Sequence, residues 1–135
     1  MPLKINLKPA EKMVINGAVI VNGDRRTNIL VQNKASILRE KDILQPEDVT
    51  TPARHIYFHI MMLYLDPEGR EEHYRNFVVR MSEFLEAMRT PAGIELCVRV
   101  SRQVTDGNYY LALSACRKLL EYESERLGES AATKG

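Results

Sequence analysis

Residues 13–21, Met-Val-Ile-Asn-Gly-Ala-Val-Ile-Val, place two short apolar runs on either side of an Asn-Gly pair. Asn-Gly accepts the positive φ angles of a two-residue type I′ turn, so this stretch predicts a β-hairpin. Alternating or grouped apolar residues between turn clusters predict three more short strands nearby. These strands are expected at residues 3–7, 29–31 and 36–39. Five such short strands must bury one face on another element, because they cannot form a large sandwich.

The hydrophobic pattern of the sequence changes after Gln45-Pro46-Glu47-Asp48, and from there on the apolar residues have helical spacing. A hydroxyl residue followed by proline is a good helix start, and it occurs at Thr51-Pro52 and again at Thr90-Pro91. Two more helices are expected at about 70–89 and 109–127, with Gly128 as the C-terminal stop of the last. The sequence therefore predicts an α+β fold, with a small N-terminal antiparallel β lobe of about five short strands packed on a C-terminal lobe of about four helices.

The boundaries follow from these elements. We predict a basic β lobe at 1–44, a linker at 45–50, a helical lobe at 51–128 and a flexible tail at 129–135. On the second helix the predicted buried face consists of Tyr74, Phe77, Val78, Met81, Leu85 and Met88. On the third helix the predicted buried residues are Ile94, Cys97 and Val98.

Composition excludes several classes of protein. Of the 135 residues, 44% are hydrophobic and 27% are charged, which is typical of globular chains and argues against disorder. The longest apolar run is residues 60–65, far short of the roughly 20 residues of a membrane span. No signal-like segment follows Met1, and we expect a cytoplasmic protein without membrane association. Cys97 and Cys116 are expected to be two buried thiols.

Motifs for catalysis and metal binding are weak. His55 and His59 have the i, i+4 spacing of metal ligands, but a site needs a third ligand and nothing forces His73 close to them. The chain has no G-x-S-x-G elbow and no phosphate-cradling G-x-x-x-x-G-K loop. We therefore predict a protein that is not an enzyme and that has no metal site and no cofactor.

The charges are distributed unevenly along the chain. Residues 1–44 hold eight basic and four acidic residues, a net charge of +4, whereas residues 45–135 have a net charge of −3. Basic side chains on strands and turns can bind phosphates and contact the bases of looped RNA. Because residues 1–50 contain no Phe, Tyr or Trp, such a surface would not work by stacking. The candidate RNA-binding residues are Lys4, Asn6, Lys8, Arg25, Arg26 and Arg39.

Two other interpretations stay open from the residues alone. The basic residues of the N-terminal lobe could be no more than a solvated surface. The helical lobe could then act as a protein-interaction adaptor or chaperone-like module, or it could pack on a second copy of the chain.

Five segments in chain order support a specific family resemblance. They are residues 3–9 (Leu-Lys-Ile-Asn-Leu-Lys-Pro), 15–20 (Ile-Asn-Gly-Ala-Val-Ile), 22–26 (Asn-Gly-Asp-Arg-Arg), 37–43 (Ile-Leu-Arg-Glu-Lys-Asp-Ile) and 51–54 (Thr-Pro-Ala-Arg). With residues 56–58 and 74–77 in addition, the chain resembles the FlbT family of post-transcriptional regulators of flagellin synthesis in alphaproteobacteria.

The resemblance implies binding to the 5′ untranslated region of flagellin mRNA, with repression of translation or degradation of the message, although the sign of regulation varies within the family. It also implies a FlaF-type flagellar regulator as the protein partner. The N-terminal lobe is faintly similar to the mRNA-binding regulator CsrA, in which an arginine of the terminal strand contacts RNA. On that similarity Arg39 is the first candidate contact. Ala10 stands where both families have glycine.

Overall fold

The computed structural model describes residues 2–134, with side chains described for residues 2–127. The chain divides into two compact units, residues 1–43 and 44–135. The described residues form five strands and four helices, so the predicted α+β class is confirmed. The strands are β1 (Leu3–Leu7), β2 (Lys12–Ile15), β3 (Ala18–Val21), β4 (Thr27–Val31) and β5 (Ile37–Arg39). The helices are α1 (Pro52–Leu65), α2 (Arg70–Ala87), α3 (Pro91–Thr105) and α4 (Tyr109–Lys134).

The β unit contains two small antiparallel sheets. One is the pair β1–β4, and the other has the order β3–β2–β5. The predicted hairpin turn between β2 and β3 is confirmed, because Asn16 and Gly17 have φ angles of 49° and 83°. Ile5 and Leu7 of β1 form a core cluster with Met13 of β2. A short 3₁₀ turn at Glu40–Asp42 follows β5.

The helical unit is organised around α1, which packs against both α2 and α4, while α3 packs against α4. Ile56, Ile60 and Leu63 of α1 are completely buried. The hydroxyl of Thr51 accepts a hydrogen bond from the backbone amide of Arg54, and the hydroxyl of Thr90 accepts one from the backbone amide of Gly93. Both predicted helix starts are therefore confirmed. Within residues 2–134 no helix combines the length and the apolar character that crossing a bilayer requires.

The predicted buried faces of α2 and α3 are partly wrong. On α2 the buried residues are Phe77, Met81 and Phe84, whereas Tyr74, Val78 and Leu85 are exposed. On α3 the buried residues are Gly93, Cys97, Val100 and Val104, whereas Ile94 and Val98 are exposed. Each of these helices has one principal neighbour, α1 for α2 and α4 for α3. Contact with a single neighbour covers only a narrow stripe, so the apolar residues beside that stripe remain in solvent.

The predicted end of the last helix at Gly128 is also wrong, because α4 continues to Lys134. A glycine stops a helix when its backbone turns to positive φ, as Gly107 does at 79° just after α3. The backbone of α4 instead stays helical through Gly128, at a cost of about 1 kcal/mol relative to alanine. The predicted flexible tail at 129–135 falls on residues whose side chains lie outside the described part of the chain, and it stays a prediction.

Candidate nucleic-acid interface

The outward face of the β1–β4 sheet consists mainly of polar side chains. Alternation along β1 buries Ile5 and Leu7 and leaves Lys4 and Asn6 exposed, and Lys8 follows directly as a third exposed residue. Across the antiparallel ladder, Leu30 lies opposite Lys4 and Asn28 lies opposite Asn6. This face therefore presents ammonium groups and amides to solvent on a strand whose other face is fixed in the core.

Two arginines that are distant in sequence meet at Asn6. The Nη2 of Arg39 donates a hydrogen bond to the backbone carbonyl of Asn6 over 2.6 Å. The Nη1 of Arg26 donates to the side-chain oxygen of the same residue over 3.4 Å. Asn6 thus holds two guanidinium groups next to the exposed face of β1, and it links β5 and the turn before β4 to that strand.

Arg39 has a second, acidic partner in Glu11. Its Nη2 lies 3.2 Å from Oε2 of Glu11, whose other carboxylate oxygen accepts the backbone amide of Lys8 over 2.8 Å. The Lys8 amide, together with the Arg39 guanidinium, lowers the pKa of Glu11 below its ordinary value. The carboxylate therefore stays ionised at neutral pH, and it holds the Arg39 side chain while 39% of that side chain remains exposed.

A cavity of about 480 Å³ opens beside this ion pair and is lined by Lys8, Pro9, Ala10, Glu11, Arg39, Glu40 and Lys41. The loop that forms one wall is held in place by backbone bonds, because the amide of Ala10 donates to the carbonyl of Gly23 over 2.9 Å. Ala10 has a φ of 62°, the left-handed conformation that glycine adopts most easily. The lining combines three cations with two carboxylates, so its net charge is positive by one.

The six predicted residues do not all come together. Asn6, Arg26 and Arg39 are joined by hydrogen bonds, and Lys8 lines the same cavity as Arg39. Lys4 is exposed on the β1 face opposite Leu30, and its side chain has no hydrogen-bond or ion-pair partner among the described residues. Arg25 takes part through its backbone carbonyl, which accepts from Asn22 and Thr27, while its exposed side chain has no partner in the described part of the chain.

Sequence reasoning did not single out Glu11 or Lys41 as site residues. Lys41 lines the cavity two residues after Arg39. Its position in the Arg39-Glu40-Lys41 segment is the signal that could have identified it. Glu11 lies three residues after Lys8, a spacing that fits the observed bond from the Lys8 amide to its carboxylate.

The histidines of the helical unit are not arranged as a metal site. Among the residues that the structure describes, no group of three or more His, Cys, Asp or Glu side chains could hold a metal ion. His73 instead lies 3.0 Å from the Asp66 carboxylate, and this contact is the main reason that the pKa of Asp66 is lowered. Desolvation, reinforced by Arg80 and by the other two histidines, lowers the pKa of His59. Cys97 and Cys116 are both free and buried, as predicted.

Comparison with known proteins gives a consistent result over nearly the whole chain. The profile of the family described as flagellar protein FlbT matches residues 3–127. The chain is 57% identical over 128 residues to the flagellum biosynthesis repressor protein FlbT of Caulobacter vibrioides (strain ATCC 19089 / CIP 103742 / CB 15), covering 95% of this chain and 91% of that one. It is 40% identical over 129 residues to the probable flagellum biosynthesis repressor protein FlbT of Rhodopseudomonas palustris (strain TIE-1), covering 94% and 98% of the two chains. No solved structure matches the chain significantly.

Proposed function

This chain belongs to the FlbT family of flagellar proteins, and we propose that it represses flagellin synthesis by binding the 5′ untranslated region of flagellin mRNA. Its similarity to proteins named as flagellum biosynthesis repressors supports the regulatory part of the proposal. The observation that carries the RNA-binding part is the convergence of Arg26 and Arg39 on Asn6 beside an open cavity. The proposed function needs binding alone, without a covalent step.

In this proposal the cations of the β unit divide the work of recognition. Lys4 and Lys8, as flexible point charges, neutralise phosphates and set the position of the RNA on the β1 face. Arg39 is held in one orientation by Asn6 and Glu11, so less side-chain freedom is lost when its remaining N–H groups bind a base edge. Because residues 1–50 contain no Phe, Tyr, Trp or His, selectivity in the β unit rests on hydrogen bonds rather than on stacking.

Repression follows from where the protein binds. A protein seated on the leader, the 5′ untranslated region, occludes the ribosome or alters the folding of the transcript so that nucleases gain access. Both routes lower flagellin synthesis without any change in transcription. A FlaF-type flagellar regulator, the partner implied by the family resemblance, would act by changing the affinity of the protein for the leader.

The test measures binding of the purified protein to a flagellin leader transcript and to a scrambled transcript of equal length. We expect Arg39→Ala to weaken leader binding by about 1–3 kcal/mol and to reduce the preference for the leader. Lys4→Ala should weaken both RNAs alike and should lower the salt dependence of binding. Lys34→Ala, which removes the same charge from an exposed loop, serves as the matched control.

Two results would count against the proposal in different ways. If the wild-type protein, alone or with a FlaF-type protein, ignores the leader in dilute buffer, the RNA-binding function is wrong. If the wild-type protein binds but Arg39→Ala keeps full affinity and selectivity, the role of Arg39 is wrong. Far-UV circular dichroism of each variant excludes loss of folding as the cause of a weaker complex.

An adaptor function is the second candidate, and the exposed apolar residues of α2 favour it. Tyr74, Val78 and Leu85 share one side of that helix and remain 36–42% exposed. Such a stripe could contact a partner protein or a second copy of the chain. A salt titration separates the two functions, because phosphate contacts weaken steeply as salt rises whereas apolar contacts do not.

A further inference from the structure

A second cluster of cations lies in the helical unit, between α3 and α4. Arg99 and Arg102 are three residues apart on α3, and Ser114 and Lys118 are four residues apart on α4, so each pair lies on one side of its helix. Together they line an open cavity of about 450 Å³ with Gln103 and Ala115. Three positive charges, a hydroxyl and an amide therefore face the same space.

Among the described residues, none that lines this cavity is acidic, in contrast to the cavity of the β unit. There Glu11 and Glu40 offset two of the three cations. Here the lining residues carry three positive charges, of which only that of Arg99 has a carboxylate partner, Glu95, outside the lining, although residues 45–135 as a whole have a net charge of −3. Like charges held close together repel each other, and an anionic ligand relieves that repulsion.

The three cations are also available to a ligand. Within the described residues, the side chains of Arg102 and Lys118 have no carboxylate partner. Arg99 pairs with Glu95 over 3.3 Å, but both side chains are more than half exposed. Exposed pairs of this kind contribute little stability, so Arg99 can exchange the carboxylate for a phosphate at small cost.

We propose that the cluster formed by Arg99, Arg102 and Lys118 is a second RNA-binding site, which takes backbone phosphates without regard to sequence. The hydroxyl of Ser114 and the amide of Gln103 are ordinary donors to phosphate oxygens. The cavity is open, as a site for one segment of a continuous strand must be. This inference rests on the proposed function, because it assigns the helical unit a part in holding the same transcript.

The experiment compares the wild-type protein with Arg102→Ala/Lys118→Ala, using the leader transcript and a 20-nucleotide oligouridine as probes. Each phosphate contact on a single strand contributes about 0.7 to the slope of log affinity against log salt. Loss of two contacts should therefore lower the slope by about 1.4 and weaken binding roughly 25-fold at 0.1 M salt. Since the site does not read sequence, the factor should be equal for both probes.

Arg75→Ala/Arg89→Ala is the matched control, because it removes the same two charges from exposed positions on and just after α2. The inference is supported if this control leaves the slope unchanged while the cluster variant lowers it. It is overturned if the cluster variant binds like the control. Arg39→Ala is measured in parallel and distinguishes this proposal from the proposed function of the β unit. Arg39→Ala should reduce the preference for the leader, whereas the cluster variant should not. A wild-type protein that binds neither probe overturns both proposals.

Discussion

Replacing Ala10 by glycine tests whether the backbone is strained in the loop that forms one wall of the β-unit cavity. The φ of Ala10 is 62°, and for a residue with a Cβ this left-handed conformation costs about 1–2 kcal/mol. The side chain is exposed, so removing its methyl group gives up little packing. The hydrogen bond from the Ala10 amide to the Gly23 carbonyl, 2.9 Å long, is available to glycine as well.

The expected gain is smaller than the strain that is relieved. Glycine also increases the freedom of the unfolded chain, which lowers stability by about 0.4–1 kcal/mol. The difference predicts that Ala10→Gly stabilises the β unit by about 0.5–1 kcal/mol. Ala18→Gly is the matched control, since Ala18 is exposed in β3, where it pairs with Ile15 and has no positive φ. There the entropy cost has no compensation, and we expect a loss of about 0.5–1 kcal/mol.

The assay must report on the β unit itself. All tyrosines and phenylalanines lie at position 57 or later, so intrinsic fluorescence follows only the helical unit. Hydrogen–deuterium exchange of peptides from β1 and β2 measures the opening of the β unit directly. Ala10→Gly should slow this exchange about two- to fivefold, and Ala18→Gly should speed it up by a similar factor. Changes of the same sign in both variants would refute the assignment of strain to Ala10.

Three further predictions concern the helical unit. Thr51→Ala removes the acceptor of the Arg54 amide and should cost about 1 kcal/mol, seen as a lower urea midpoint by tyrosine fluorescence. The contacts that lower the pKa of Asp66 stabilise the fold above about pH 4, and this stabilisation is lost as the pH falls through the pKa of Asp66 in the folded protein. Asp66→Asn should therefore lose less stability than the wild type between pH 7 and pH 3. Burial raises the pKa of Cys97 to about 11 and also raises that of Cys116, so a disulfide reagent at pH 8 should label neither thiol before unfolding.

The predictable parts of the fold are those that depend on neighbouring residues. The Asn16-Gly17 turn and the starts of α1 and α3 follow from the conformational preferences of two or three adjacent residues. Strand pairing could not be predicted in the same way. β1 pairs with β4, and β5 joins β2, across separations of about 20–30 residues. All five strands are short and have similar intrinsic preferences, so only packing in three dimensions decides which of them meet.

The candidate interface likewise combines features that depend on neighbouring residues with contacts between residues far apart in the chain. Alternation along β1 is local, and it correctly places Lys4 and Asn6 on the exposed side of that strand. The contacts of Arg39 are not local, because Asn6 lies 33 residues and Glu11 lies 28 residues before it. Charge and strand position place Arg39 among the six candidates, and the resemblance to a known regulator makes it the first of them, but no pattern near it in the chain indicates a carboxylate partner.

The net charge of a segment does not reveal local clusters of like charge in this protein. Residues 45–135 have a net charge of −3 and residues 1–44 a net charge of +4, which by itself favours the β unit as the anion-binding part. A phosphate, however, responds to charges within about 10 Å at ordinary salt, not to the total of a segment. Helices joined by a loop as short as residues 106–108 must lie side by side, so arginines late in α3 lie near residues early in α4. Combining helix spacing with that short connection predicts the Arg99, Arg102 and Lys118 cluster, which the segment total conceals.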